Sequence, residues 1–156
     1  MNGSFIHATN LGFGDITTSC NCISPDLFVV KLDLQGTPLW QKPLGAENND
    51  LAGDIDVDPW GRPVMAASFA NVGSATIDGK ALPSGNLFVA LKFDPQDGKA
   101  LSVTGRKASA LMRAYGVSSS PANGHTLVAG ELKGTIEFEV PRTGTGDSSY
   151  VVDLTP

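Results

Sequence analysis

Two stretches of this chain are near copies of one another about sixty residues apart, and a repeat at that spacing restricts the fold more than any local pattern does. Leu27-Phe-Val-Val-Lys-Leu-Asp33 returns as Leu87-Phe-Val-Ala-Leu-Lys-Phe-Asp94, with Lys31 to Lys92 and Asp33 to Asp94 both 61 positions. A weaker return is Tyr150-Val-Val-Asp-Leu154, where Val151 and Val152 lie 122 positions beyond Val29 and Val30. Gly61-Arg-Pro-Val-Met-Ala-Ala-Ser-Phe69 matches Gly124-His-Thr-Leu-Val-Ala-Gly-Glu-Leu132 at 63, and Gly3-Ser-Phe5 precedes Ala67-Ser-Phe69 by 64. Gly36-Thr-Pro-Leu39 precedes Gly98-Lys-Ala-Leu101 by 62. These anchors define about two and a half copies of a unit of roughly 62 residues, so one repeat region spans 1–156, with units at 3–66, 67–129 and 130–156.

Each unit divides into short strands. Phe28 to Leu32 is β-branched and aromatic and ends at a turn signal, Asp33-Leu-Gln-Gly36, matched later by Asp94-Pro-Gln-Asp-Gly98. Pro38 to Lys42 follows, then a polar loop from Gly45 to Asp50. Asp54-Ile-Asp-Val-Asp58 alternates at period two, Pro59-Trp-Gly-Arg62 turns, and Pro63 to Phe69 is the fourth strand. Four antiparallel strands joined by turns make one propeller blade, so the expected class is all-β, built of such blades. About ten strands are expected, with a small apolar element, Thr76-Ile77, in the connection from Ala70 to Gly85. Lys107 to Ala114 is the best helical candidate, but it allows at most one short turn. Gly 18 and Pro 10 fit a fold dominated by turns.

The pattern Asp26-Leu-Phe-Val-Val-Lys-Leu-Asp33, Gly36, Leu39-Trp40, Leu44-Gly45, Asp54-Ile-Asp-Val-Asp58, Gly61 and Val64 to Phe69 resembles the seven-bladed β-propeller repeats of bacterial secreted and envelope proteins. The second unit departs from that pattern: Ser102 stands where Trp is expected, and Ser118 to Asn123 replaces the acidic strand and turn. The resemblance implies a propeller array and an extracellular or envelope location. It implies no catalytic residues, because the family is defined by structural positions. A propeller protects its edges by closing a ring. Two and a half blades therefore point to part of a larger propeller, or to self-association that completes one.

Several residues carry candidate chemistry. Alternate carboxylates at Asp54, Asp56 and Asp58 could hold calcium through their oxygens. Pro59 and Trp60 interrupt the calcium-loop pattern, however, and on a strand the three acids would line one solvated face, so a plain strand and turn is preferred. His7 and His125 lie at different phases of the repeat and read as surface histidines, with no nucleophile elbow or paired-ligand spacing nearby. Arg106, Lys107 and Arg113 form the densest basic cluster and read as a solvated loop. Gly12, Gly14 and Gly134 lack the Gly-Lys-Ser/Thr of a phosphate loop and read as turns. Trp40 suits packing between blades, whereas Trp60 and Tyr115 could stack on a sugar. Cys20 and Cys22, one residue apart, suit neither a disulfide framework nor a four-ligand zinc site.

These residues propose no catalytic, cofactor or metal site. A net charge of −5 argues against a nucleic-acid backbone as partner, and no run approaches the roughly 20 apolar residues of a membrane span. Met1 to His7 carries neither the basic nor the apolar segment of an export signal. The expected function is a non-enzymatic module that binds protein or glycan. The alternatives are a propeller lyase or hydrolase acting on polysaccharide or peptide, and a purely structural spacer.

Overall fold

The computed structural model describes residues 1–18, 23–46, 48–110, 112–137 and 142–154, with the backbone alone at 142 and 144–147. No described residue is helical. The strands are β1 (Asn2–Phe5), β2 (Ala8–Asn10), β3 (Asp15–Thr17), β4 (Asp26–Leu32), β5 (Pro38–Leu44), β6 (Asp50–Val57) and β7 (Pro63–Val72). They continue with β8 (Thr76–Ile77), β9 (Lys80–Ala81), β10 (Gly85–Phe93), β11 (Ala100–Ala108), β12 (Met112–Ser119), β13 (Thr126–Ile136) and β14 (Arg142–Leu154).

Four hairpin turns are built the same way from local chemistry. In Asp33–Thr37 the Asp33 carboxylate accepts from the backbone N–H groups of Gln35 and Thr37, while Gly36 N donates to Asp33 O. Asp58 does the same for Trp60 and Arg62, with Gly61 N donating to Asp58 O. Asp94 and Ser120 head the other two turns, closed by Gly98 and Gly124. The side chain mimics a backbone acceptor, and the glycine takes the left-handed conformation that an L side chain resists. The φ values at Gly36, Gly61, Gly98 and Gly124 lie between 69° and 83°.

β1, β4 and β5 form one antiparallel sheet in that order. The larger sheet runs β6-β7-β10-β11-β13-β12, with β14 on the other side of β13. β11 and β13 share only the Ala108–Ile136 register pair, so this sheet has two well-paired parts, β6-β7-β10-β11 and β12-β13-β14, joined at one end. β12 then folds back against β6 and β7: Ser119 N donates to Asp56 Oδ2 at 2.7 Å, and Ala114 N donates to Ser68 Oγ at 2.7 Å. The path of the sheet thus nearly closes on itself, like a barrel.

The core explains the apolar runs. Met65, Ala67 and Phe69 of β7, with Leu87, Val89, Leu91 and Phe93 of β10, face Leu27, Val29 and Trp40 of the β1-β4-β5 sheet. The alternate residues Val64, Ala66, Phe88 and Ala90 face Met112, Val128, Ile136 and Val152. β7 and β10 are therefore covered on both faces, the condition under which a strand reads as continuous apolar sequence rather than alternation. Three layers stack here, not two.

Several expectations need correction. Lys107 to Ala114 forms no described helical turn: β11 runs to Ala108 and β12 begins at Met112, because burial of Ala108 and Met112 outweighs a weak helical preference. Leu27-Phe28 and Leu87-Phe88 look aligned but are not. Phe28 lies across from Gly3, and the residue in that place against Ala67 is Val89, because β10 carries one more residue before its lysine. Phe28 is accordingly half-buried near Phe5, whereas Phe88 is fully buried beside Tyr150.

Candidate functional site

The three alternate aspartates do not share a solvated face. Asp54 is exposed and accepts from the backbone of Ile55. Asp56 accepts from Val57 N and, across the fold, from Ser119 N. Asp58 is buried at 3% exposure, where it holds its own turn together and pairs with Arg62 Nε at 2.7 Å, with Lys92 Nζ 3.8 Å away. Burial works against its charge, but the bonds from Arg62 and Trp60 hold its carboxyl below the usual value. A bulge between Ala52 and Ile55 breaks the simple alternation that the sequence suggests. Among the described residues no cluster of three metal-ligating side chains forms.

The other candidates scatter. His7 lies on the β1–β2 connection, where its carbonyl accepts from Thr18 N. His125 Nδ1 is 3.1 Å from Asp153 Oδ2 on β14, a pairing of base and acid at the surface. Arg106 turns to the carbonyl of Gly105, and Lys107 lies 4.0 Å from Glu137. Gly12 and Gly14 fall in the tip of the β2-β3 hairpin, and Gly134 interrupts the β13-β14 register. Cys20 and Cys22 lie outside the described residues.

Trp40 lies in β5 and Trp60 in the β6-β7 turn, each against the glycine of another turn. Trp40 is buried, packs on Gly98 and donates from Nε1 to Pro95 O at 3.2 Å. Trp60 packs on Gly124 but remains 59% exposed, with the Arg62 guanidinium 4.6 Å from its ring centroid. A sugar stacking on that face would have to displace Arg62. Tyr115 is exposed at a bulge of β12 and donates to Glu131 Oε2 at 3.0 Å.

Sequence reading missed the buried polar groups. Asp50, in what reads as a polar loop, is fully buried at the start of β6; its Oδ2 accepts from Ala46 N and its Oδ1 has no partner. Burial pushes its carboxyl up to about 7, opposed by the Ala46 hydrogen bond and reinforced by the charge of Asp26. Asp26 is also buried and borders a cavity of about 260 Å³ between β5 and the β8-β9 hairpin. The Lys42–Asp78 ion pair, at 2.6 Å, stands at that cavity's edge. A second opening, about 320 Å³ and largely apolar, lies beside Val30, Trp40, Val57 and Pro95. A third, about 140 Å³, has Arg113 in its wall, and Arg113 Nε is buried without a hydrogen-bond partner. No periodicity or motif marks any of these residues, because each becomes buried only when separate strands meet.

Comparison with protein-family models, curated proteins and solved structures finds no match to this chain. Among the described residues, no helix is long and apolar enough to cross a membrane.

Proposed function

We propose that the chain is a run of propeller-type blades that serves as a non-enzymatic binding or scaffolding module of a bacterial secreted or envelope protein. One recurrent seam supports the blade reading most directly. Ser4 Oγ on β1 accepts from Ala52 N on β6, and Ser68 Oγ on β7 accepts from Ala114 N on β12. Donors and acceptors thus recur at the spacing of the sequence repeat. Taking β1-β4-β5, β6-β7-β10-β11 and β12-β13-β14 as successive blades also preserves register. Gly3 faces Phe28, Ala67 faces Val89 and Gly130 faces Tyr150. Trp40 against the Gly98 turn and Trp60 against the Gly124 turn add two further contacts between neighbours, at different phases of the repeat.

What supports recognition of protein or glycan over catalysis is what these positions do: the conspicuous acids, tryptophans and glycines build turns and seams. In the test, the intact chain is offered immobilised bacterial surface polysaccharides and envelope proteins, with binding and chemical change both followed. Saturable retention of a ligand recovered unaltered is the expected result. Release of cleaved product would overturn the reading in favour of a propeller lyase or hydrolase. Light scattering addresses self-association: a multimer of fixed size would fit ring completion between copies, and a monomer would exclude it.

A further inference from the structure

β1 stands in its sheet where β7 and β13 stand in theirs: Gly3 faces Phe28 as Ala67 faces Val89 and Gly130 faces Tyr150. On their other edge β7 and β13 each carry a further antiparallel strand, β6 and β12. Among the described strands β1 is paired with β4 alone. Met1 N donates to Val30 O at 3.0 Å, and Val30 N donates to Met1 O at 2.9 Å. Such mutually bonded pairs alternate along an antiparallel ladder, so Met1, Gly3 and Phe5 bond towards β4. The backbone N–H and C=O groups of Asn2 and Ser4 therefore point to the other edge, and Ser4 is exposed. The seam shows that a strand has room there. Ala114 N reaches Ser68 Oγ while β6 lies along that edge of β7, and Ala52 N reaches Ser4 Oγ in the same way.

The two strands that hold this place on β7 and β13 agree in sequence. Ala52 and Ala114 lie across from Ala67 and Gly130; three residues on, Ile55 and Val117 lie across from Met65 and Val128. The matching places on β1 are Gly3 and Met1. The Phe28 ring fills the space beside Gly3, where an added Cβ would come within 2.9 Å of it. That ring is only half-buried, and Met1 is 58% exposed. An alanine opposite Gly3 would lie against the ring, and a β-branched side chain opposite Met1 would cover that methionine. We infer that the free edge of β1 binds an extended segment of a separate protein by strand addition, the segment carrying Ala-x-x-Ile/Val with its alanine opposite Gly3. Unpaired edge groups template such pairing, in which the main chain supplies affinity and the side-chain places supply selectivity. β6 and β12, the strands of this pattern, are each paired within their own sheet, so a second copy has neither to lend. The inference rests on the module reading above and gives it a protein, rather than a glycan, as partner.

The test titrates the full chain with an acetylated, amidated peptide of the β6 sequence, Asp50 to Val57, followed by backbone amide shifts and hydrogen exchange. Binding is expected with a Kd on the order of 0.1–1 mM. Exchange should slow at Asn2 and Ser4 and change little at Gly3, which already bonds to β4. N-methylation of the peptide at Leu51, whose N–H would donate to Ser4 O, is expected to weaken binding by about tenfold or more. N-methylation at Ala52, whose N–H would point away from β1, is expected to leave binding unchanged. Ser4→Pro removes an edge donor and is expected to lose the peptide, with distant amides unshifted to show that the variant is folded. No binding at about 10 mM, or equal binding of the two N-methylated peptides or of a scrambled one, would overturn the inference. So would changes centred on β7, which would mean exchange with the chain's own β6. Slowed exchange at Asn2 and Ser4 that rises with chain concentration and needs no peptide would place a second copy there and overturn it too. Retention of a polysaccharide by the intact chain in the assay above, without peptide binding, would sink this inference and leave the module reading standing.

Discussion

Two aspartates show how the same residue type serves opposite ends depending on what surrounds it. Asp58 is buried but accepts hydrogen bonds from Trp60 and Arg62 and faces two cations, so its charge is matched. Asp58→Ala would strip the turn of its acceptor and leave Lys92, 8% exposed, without its nearest carboxylate. The expected loss is about 2–4 kcal/mol, read as a lower urea midpoint, with Asp33→Ala in the exposed first turn costing distinctly less. Asp50 is buried with one oxygen bare and another acid nearby, so its neutral form is favoured. Folded Asp50 keeps its proton up to about pH 7, whereas the unfolded chain releases it near 3.8. The folded state therefore holds the extra proton between those values. The contribution to stability is complete below the lower value and is lost as pH rises through the upper one. Over that window the loss is on the order of 4 kcal/mol. Asp50→Asn should flatten the dependence and raise the urea midpoint at pH 8 relative to the unaltered chain. A midpoint that did not fall between pH 5 and pH 8 in the unaltered chain would contradict this account.

At the scale of elements, the hairpin turns were legible in the sequence because their cause is local. An Asp at the head and a Gly near the end specify the turns closed by Gly36, Gly61 and Gly98 without help from the rest of the fold, whereas the turn closed by Gly124, headed by Ser120, reads in the sequence only as a departure from the repeat. Gly124 is under a second constraint that only packing reveals: an added methyl would run into the Trp60 ring. Gly124→Ala should therefore cost more than Gly36→Ala, which meets open space at a similar φ. The expected difference is about 1 kcal/mol or more, measured by thermal unfolding of the two variants. Strand bounds were less legible. The bulges in β6 and β12, and the extra residue in β10, displace side chains by one place, and nothing in composition signals where the ladder slips. That is why Phe28 reads as the partner of Phe88; Asp58 reads as a surface acid because its burial comes from the turn it heads and from Lys92 on another strand.

At the scale of the whole molecule, stability depends on seams between sheets. Ser68 is buried and supplies the acceptor for Ala114 N, while Ser4 supplies the acceptor for Ala52 N at a more exposed seam. Ser68→Ala should cost about 1–3 kcal/mol by stranding a buried N–H, and Ser4→Ala should cost less because water can replace the hydroxyl. Equal effects would argue that the two seams are not built alike. The sequence alone was sufficient for the all-β class and for the turns, because a repeated apolar pattern and turn chemistry act over a few residues at a time. It also supplied the spacing on which the blade reading rests. Only the tertiary structure decided which polar groups lose water. Asp26, Asp50 and Lys92 are ordinary charged residues in one dimension, and their character as buried acid or buried cation arises from strands far apart in sequence closing over them.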